Sequence, residues 1–327
     1  MSPMTAAGGR GPAATAPREL GRPEHAAVNR VLAERLARRR PLVLAHRGTA
    51  IGSVAENTLA AARASIASGA DMVEIDVSAS TDGRFYAFHD GTEQENLGIG
   101  TNLCTLDAAR IEELRYVRVD RRERPARVEP LLELLGALRD HRGPDGEEAL
   151  VNVDRSWPWW PTLLPLLDRL GMTGRLLLKC PATATAALDV LRAQPVKHPF
   201  VPICTEPEQV EDLIEDRDLN LVGVELLAGA EDHPFVDAGY IASLHARGLL
   251  VLANAEVLTN DRPLFAGYDD ERALAEGPEA GWGPLIDLGV DVVQTDWPWL
   301  LHAYRERRDG DASARRPAEP DDAGDQA

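Results

Sequence analysis

The amino-acid sequence predicts a single α/β domain with the (β/α)₈ barrel architecture. Short apolar runs alternate with longer amphipathic stretches, a pattern typical of strand and helix units around a parallel sheet. Eight such units occupy about 260 residues, which matches a closed barrel better than an open sheet. The chain has 327 residues, 44% of them hydrophobic, which is enough for one large core, although two smaller domains would also fit the composition.

The eight predicted strands are apolar runs of similar length. They are 41–46, 71–78, 149–154, 175–180, 200–205, 220–226, 249–254 and 290–295. Helical patterns follow nearly all of them, for example 57–68, 161–170, 207–215 and 235–247.

Two additions follow the second strand. The run 84–89 reads as a short hairpin strand that pairs with the second strand through the Asp82-Gly83 turn and returns His89 toward the strand ends. The stretch 91–129 is longer than an ordinary loop and contains a helix signal at 105–115. We interpret this insertion as a candidate lid or substrate-binding segment.

Both ends of the chain lack core-forming residues. Residues 1–24 are rich in Ala, Gly and Pro, and residues 309–327 are polar, acidic and Pro-containing. The sequence therefore predicts a barrel domain over 25–308 between two disordered tails.

Composition restricts the possible partners and the compartment. Thirty-five basic against 53 acidic residues give a formal charge of -18, which repels polyanions, so we expect no nucleic-acid partner. Cys104, Cys180 and Cys204 have no CxxC spacing and are expected to be reduced thiols. No apolar run suits a signal peptide or an integral membrane segment, so a cytoplasmic protein is expected. Nothing in the sequence indicates the oligomeric state.

Polar residues stand at nearly every predicted strand end. Catalytic groups in such barrels come from these ends and from the loops that follow them. The residues are His46, Glu74, Asp76, Asp154, Lys179, Glu225, Asn254, Gln294 and Asp296.

The second strand carries two of these carboxylates on one face. In the run from Val73 to Val77 the apolar residues share one side, so strand alternation directs Glu74 and Asp76 together into the barrel. Two carboxylates about 6.6 Å apart along a strand, facing a third, raise their own pKa values or recruit a cation. A hard divalent cation, Mg²⁺ or Ca²⁺, is the predicted cofactor. The alternative is a strand edge exposed to water.

His46 and His89 form a candidate acid and base pair. Hydrolysis of a phosphodiester needs one group that activates the attacking oxygen and another that protonates the leaving alkoxide. Taken singly, each histidine is more often a surface or core residue, but their positions beside the carboxylate pair favour catalysis. Arg47 has the planar fork that suits a phosphate.

As a set, these residues resemble the glycerophosphodiester phosphodiesterase family. The shared elements occur in order: Ala45-His46-Arg47-Gly48, Glu56-Asn57-Thr58, Glu74-Ile75-Asp76, His89-Asp90 and, in the last strand, Gln294-Thr295-Asp296-Trp297-Pro298. The likeness extends from residue 41 to about residue 300.

The resemblance implies a metal-dependent phosphoric diester hydrolase of lipid metabolism, which cleaves a glycerophosphodiester into an alcohol and glycerol phosphate. His46 and His89 would be the general acid and base in an undetermined order, and Arg47 would hold the phosphate. Glu74 and Asp76 would bind the metal. Glu56 would be a further ligand or would orient Arg47.

The third strand departs from the family pattern. Where the family usually has Glu-x-Lys, this chain has Asp154-Arg155-Ser156. Asp154 is therefore a shorter candidate metal ligand, and a phosphate-binding lysine is lost. Lys179 on the next strand is the predicted substitute from strand parity, and a solvated lysine is the alternative.

The tryptophan distribution is a second departure. Five of the six follow strands three and eight: Trp157, Trp159, Trp160, Trp297 and Trp299. Their faces suit quaternary ammonium groups or apolar chains, which predicts a choline-bearing or lipid-like small molecule. Packing between loop and helix is the alternative. The residues expected to line the substrate pocket are Trp157, Glu225, Asn254, Gln294 and Trp297.

Two further hypotheses stay open beside simple hydrolysis. One keeps the site but changes the reaction, to a lyase that forms a cyclic phosphate from a lysophospholipid or to ionisation of another phosphate or diphosphate ester. The other is an inactive phosphate-binding barrel, which the lost lysine favours and the retained histidines oppose.

Overall fold

The predicted barrel is present and closed in the computed structural model of the protein, which describes residues 18–50, 54–119, 125–258 and 262–314. The strands are β1 (Leu42–Ala45), β2 (Met72–Ala79), β3 (Phe85–Ala87), β4 (Arg115–Val119), β5 (Pro125–Arg127), β6 (Glu129–Pro130), β7 (Leu150–Asp154), β8 (Leu176–Pro181), β9 (Phe200–Cys204), β10 (Gly223–Leu226), β11 (Leu250–Asn254) and β12 (Val292–Thr295). Eight of them, β1, β2 and β7 to β12, pair in parallel, and β1 contacts both β2 and β12. All eight predicted strands are confirmed.

Helices surround the barrel. They are α1 (Ala26–Arg38), α2 (Leu59–Ala67), α3 (Glu93–Leu97), α4 (Ala108–Glu113), α5 (Leu131–Arg139), α6 (Trp160–Asp168), α7 (Thr185–Ala193), α8 (Pro207–Ile214), α9 (Ala238–Ala246), α10 (Asp270–Glu276), α11 (Pro278–Gly281), α12 (Gly283–Leu288) and α13 (Pro298–Ala314). The apolar faces of the larger helices pack on the outward-facing residues of the strands and form the main core.

The lower part of the barrel interior is apolar. The cluster there contains Leu42, Leu44, Met72, Leu150, Leu177, Val201, Val222, Leu250, Leu252 and Val292. Leu20 and the buried face of α1 join this cluster and close the bottom of the barrel. Gly223 belongs to the same region, and a Cβ there would collide with the side chain of Leu250.

The upper part of the interior is polar instead. Strand alternation continues the inward faces into six side chains that are no more than 5% exposed: Glu74, Asn152, Lys179, Glu225, Asn254 and Gln294. Because buried polar groups need partners, this layer is a connected network at the C-terminal ends of the strands. That end is where barrel enzymes carry their chemistry.

The insertion after β2 has a small core of its own. Strand β3 runs antiparallel to β2, and β4 pairs with β5 in a separate hairpin. A third apolar cluster, which includes Phe88, Leu103, Ile111 and Tyr116, joins these elements to α3 and α4. The predicted hairpin strand and a helix within 105–115 are confirmed.

The packed part of the chain extends several residues beyond the domain boundaries predicted at residues 25 and 308. Leu20 is 3% exposed in the barrel floor, and the Arg18 guanidinium lies 2.9 Å from the Asp291 carboxylate. Helix α13 continues to Ala314. That apolar contact, the ion pair and further hydrogen bonds hold the first segment in place, and composition alone conceals such contacts. Predicted tail residues 1–17 and 315–327 lie outside the described residues.

No helix in the described ranges is both long enough and apolar enough to cross a membrane.

Candidate active site

His46 directly follows β1 in a tight turn at the mouth of the barrel. Its Nδ1 lies 2.9 Å from Asp296 Oδ1. Burial opposes the charged imidazolium, but the hydrogen bond to Asp296 and the negative charges of Glu256, Asp296 and Glu74 outweigh it and raise the pKa of His46 to about 10. The contact through Nδ1 leaves Nε2 as the nitrogen available for substrate.

Asp296 is itself held rigidly. Its backbone N–H donates to Asp270 Oδ2 at 2.8 Å, and its carbonyl accepts from Thr49 Oγ1 at 2.7 Å. Asp270 also accepts from Thr295 Oγ1 and Trp282 Nε1. Burial raises the pKa of Asp270 to about 8 despite these three donors. The sequence placed Asp296 at a strand end but assigned it no role, and Asp270 carried no signal.

Three carboxylates from two neighbouring strands meet beside His46. Register pairs Asp76 of β2 with Asp154 of β7, and Glu74 lies one step below on the same face. Candidate ligand oxygens of the three residues all lie within 4.8 Å of one another. Burial and the charge of Asp76 raise the pKa of Glu74 well above its usual value, and Glu74 Oε1 is buried without a hydrogen-bond partner among the described residues.

This donor set suits a hard divalent cation. All the candidate ligand atoms are carboxylate oxygens, and Glu74 contributes a buried oxygen that has no hydrogen-bond partner among the described residues. Asn57 fixes one member, because its side chain donates to Asp76 Oδ2 and accepts from the Asp76 backbone N–H, both at 2.9 Å.

Arg47 adopts the left-handed conformation, with φ of 52°, which is uncommon for a residue other than glycine. Its N–H donates to Glu74 Oε2 at 2.6 Å, and its guanidinium lies 3.0 Å from Glu56 and 3.3 Å from Asp76. Asn96 of the insertion donates to Glu56 as well, at 3.0 Å. Of the two roles predicted for Glu56, the structure favours orientation of Arg47, because Glu56 lies outside the carboxylate cluster.

His89 reaches the site from the hairpin strand β3. Its Nδ1 is buried and has no hydrogen-bond partner among the described residues. Burial and the nearby charges of Arg47 and Arg155 lower the pKa of His89, although Asp76 opposes them. The two histidines are therefore biased in opposite directions.

Lys179 is not a solvated lysine, so that alternative is wrong. It is 1% exposed, and its Nζ lies 2.9 Å from both Asp154 Oδ2 and Glu225 Oε2. Asn254 donates to the other oxygen of Glu225 at 2.8 Å. Two carboxylates thus compensate the ammonium charge and raise the pKa of Lys179, although burial opposes it.

A second buried pair completes the polar layer. Gln294 Nε2 donates to Glu256 Oε1 at 2.8 Å. Burial raises the pKa of Glu256 to about 7, and its Oε2 has no partner among the described residues. Strand alternation two residues beyond Asn254 was the available signal for Glu256, which the sequence analysis missed.

The tryptophans after strands β7 and β12 differ in their burial. Trp160 is fully buried, contacts Phe200 edge to face and donates to Ser156 Oγ, so packing is confirmed for this residue. Trp157 is half-buried against the main core. Trp297 is 36% exposed and lies edge to face with Trp299, with ring centroids 5.4 Å apart. A substrate-facing role stays a prediction for Trp157 and Trp297.

Arg155 follows Asp154 in a second left-handed turn, with φ of 50°. Its N–H donates to Asp154 Oδ1 at 2.6 Å, and its guanidinium binds Asp90 Oδ1 through Nη2 at 2.8 Å and Nε at 3.1 Å. Nearby Asp90, Asp76 and Asp154 raise its pKa, although burial opposes the charge.

Solved structures of the same fold are available for comparison. A glycerophosphoryl diester phosphodiesterase from Parabacteroides distasonis matches with a TM-score of 0.61 and 18% identity, over 87% of this chain and 90% of that one. A phosphodiesterase from Oleispira antarctica in complex with sn-glycerol-3-phosphate matches with a TM-score of 0.59 and 19% identity, over 81% and 97%. At these identities the matches show the shared fold. No curated protein sequence matches the chain.

The sequence profile of the glycerophosphoryl diester phosphodiesterase family matches residues 46–298, which is most of the barrel and includes every residue described above as part of the site. The chain therefore belongs to the glycerophosphoryl diester phosphodiesterase family and is a phosphodiesterase.

Proposed function

We propose that the protein hydrolyses a small glycerophosphodiester to an alcohol and glycerol phosphate, with His46 as general acid and His89 as general base. The arrangement of the site supports this proposal: the charge of Glu74 acts on His46 and that of Asp76 on His89, so both histidines lie near the carboxylate cluster, and their pKa values are shifted in opposite directions, up for His46 and down for His89. Such a divergence distinguishes the acid, whose pKa is raised, from the base, whose pKa is lowered.

The reaction needs two proton transfers, one to His89 and one from His46. Neutral His89 accepts a proton from the attacking water, whose oxygen forms a bond to phosphorus, and protonated His46 donates its Nε2 proton to the alkoxide that leaves as the P–O bond to the alcohol breaks. Asp296 keeps the imidazolium of His46 in place through Nδ1. Arg47 binds a non-bridging phosphate oxygen, since its guanidinium already lies beside Asp76.

Glu74, Asp76 and Asp154 would hold Mg²⁺ or Ca²⁺. The bound cation would neutralise phosphate charge next to three carboxylates that otherwise repel it. Lys179 supports this arrangement, because its contact with Asp154 Oδ2 fixes the carboxylate while Oδ1 accepts from the Arg155 N–H.

The sn-glycerol-3-phosphate of the Oleispira protein supports a glycerol-containing substrate. Asn254, Gln294 and Glu225 of the polar layer, with Trp157 and Trp297 at the mouth, are the proposed contacts for its remaining atoms. The polar contacts suit hydroxyl groups and the tryptophans suit a choline head group.

Turnover of a diester panel tests the proposal. Glycerophosphocholine, glycerophosphoethanolamine and lysophosphatidylcholine are incubated with the protein and Mg²⁺, Ca²⁺ or Mn²⁺, and the products are followed by phosphorus NMR. We expect glycerol phosphate from the first two diesters, and we expect its formation to be lost with EDTA and in His46→Ala. The control His141→Ala, which changes a histidine far from the site in sequence and fold, should keep activity. A persistent cyclic phosphate would show the lyase reaction instead, and no turnover of any diester would refute the proposal.

A further inference from the structure

Ser156 stands where the resemblance implies a phosphate-binding lysine. Two cationic side chains in the structure are candidates to replace that lysine. Lys179 is fully buried, and two carboxylates at 2.9 Å already use its charge. The side chain of Arg155 is 37% exposed, at the mouth of the barrel. Among the described residues, Asp90 alone binds its guanidinium, and only through one carboxylate oxygen.

We propose that Arg155 binds the substrate phosphate and replaces the missing lysine. This inference deepens the proposed function, on which it rests, since it adds a residue to the same site.

Arg155 repeats the local geometry of Arg47. Each arginine lies within two residues of the end of a barrel strand, each has φ near 50°, and each donates its N–H at 2.6 Å to a carboxylate of the cluster, Glu74 or Asp154. The left-handed conformation is unfavourable for a residue with a side chain and persists where the surroundings impose it. Both guanidinium groups therefore extend from residues whose backbone nitrogens are anchored to the carboxylate cluster.

Free donors remain on the guanidinium of Arg155. Its Nε and one Nη2 hydrogen point to Asp90 Oδ1, and Nη1 makes no hydrogen bond to any described residue. Arginine has five N–H donors in a planar fork, so a phosphate oxygen can be bound without breaking the contact to Asp90. Lys179 has no comparable unused edge in a solvent-facing position.

A structural role is the competing explanation. The contact with Asp90 joins the β7 loop to the hairpin strand that carries His89, so Arg155 could serve only to hold that strand. Two variants separate the explanations. Arg155→Gly removes the guanidinium and keeps the turn, because glycine adopts positive φ without strain. Asp90→Asn removes the ion pair and keeps the guanidinium.

The first readout is the affinity for sn-glycerol 3-phosphate, measured by titration calorimetry with Mg²⁺ present. The second is how far KM and kcat for the diester each change. We expect Arg155→Gly to weaken binding and raise KM about tenfold or more, with a smaller change in kcat, because a charge-assisted hydrogen bond is lost. Arg155→Lys should recover part of the loss. Asp90→Asn should bind at least as well as the wild type. Arg110→Gln, which removes an exposed arginine charge from α4, is the matched control.

The proposal is overturned if Arg155→Gly binds like the wild type, if Asp90→Asn loses as much affinity as Arg155→Gly, or if the wild type does not bind sn-glycerol 3-phosphate. Thermal melting checks that the variants fold. A wild type that binds the ligand through Arg155 without turning over diesters would refute the proposed function and leave this inference standing.

Discussion

Replacement of Glu74 by glutamine should change the stability of the protein in opposite directions with and without a divalent cation. Glu74 is buried beside Asp76 and Asp154, with ligand oxygens within 4.8 Å. At that separation and an effective dielectric of about 20, each pair of unit charges repels by about 3 kcal/mol. Nearby His46 and Lys179 offset part of this repulsion, so we expect Glu74→Gln to stabilise the metal-free protein by about 2 kcal/mol near pH 8. The amide oxygen of the new side chain would still accept the Arg47 N–H.

The pH dependence of protein stability is a second test of the direction in which Glu74→Gln acts. The folded protein holds a proton on Glu74 at pH values where the unfolded chain, with a pKa near 4.5, has lost it. The stability that Glu74 contributes is therefore fully present below pH 4.5 and is lost as the pH rises above that value. The advantage of Glu74→Gln should be absent at about pH 4 and grow toward about pH 8.

A divalent cation should reverse the order. Binding at 100 times the dissociation constant adds about 2.7 kcal/mol to the wild type and little to the variant. Differential scanning calorimetry with EDTA and with millimolar Mg²⁺ or Ca²⁺ measures both states, and Glu34→Gln on α1 removes an exposed charge as control. A wild-type melting temperature that does not respond to any divalent cation, or a metal-free variant less stable than the wild type, would refute the reasoning.

Three further outcomes follow from the site. Asp296→Asn should lower kcat about 100-fold and lower the pKa of His46 from about 10, read by NMR in the metal-free protein; unchanged values would contradict the Asp296 to His46 pairing. Lys179→Met should cost about 3 to 5 kcal/mol in denaturant unfolding, because Asp154 and Glu225 lose their shared counter-charge, and Glu225→Gln in the same chain should restore part of it; full stability of the single variant would contradict this. The acid limb of the kcat/KM profile should lie below pH 6.5, since burial lowers the pKa of the base His89, and a limb above about 7 would exclude that assignment.

Periodicity predicted what depends on local geometry. Alternation along β2 placed Glu74 and Asp76 on one face, and the same rule placed Lys179 in the barrel, because the side-chain period of a strand is fixed. The strand ends then identified the mouth, since the barrel architecture brings all eight together.

Contacts between distant segments were not predictable in the same way. Asp270 stands 26 residues before Asp296 and still anchors its backbone. The left-handed turns at Arg47 and Arg155 were hidden as well, because arginine carries no preference for positive φ. Lys179 was expected beside phosphate, but its partners Asp154 and Glu225 lie on strands whose register the sequence does not specify.

The packing of α1 in the barrel floor determines how long this helix stays exposed during synthesis. Asn29 of α1 hydrogen-bonds Asn220, which is 191 residues later, so about 10 to 40 s of synthesis separate the two at usual ribosomal rates. Early in that time the apolar face of α1 has been synthesised while most of the strands that cover it do not yet exist. The apolar face of α1 is thus exposed until the strands of the barrel floor have been made, and we expect chaperones to protect this helix in the nascent chain.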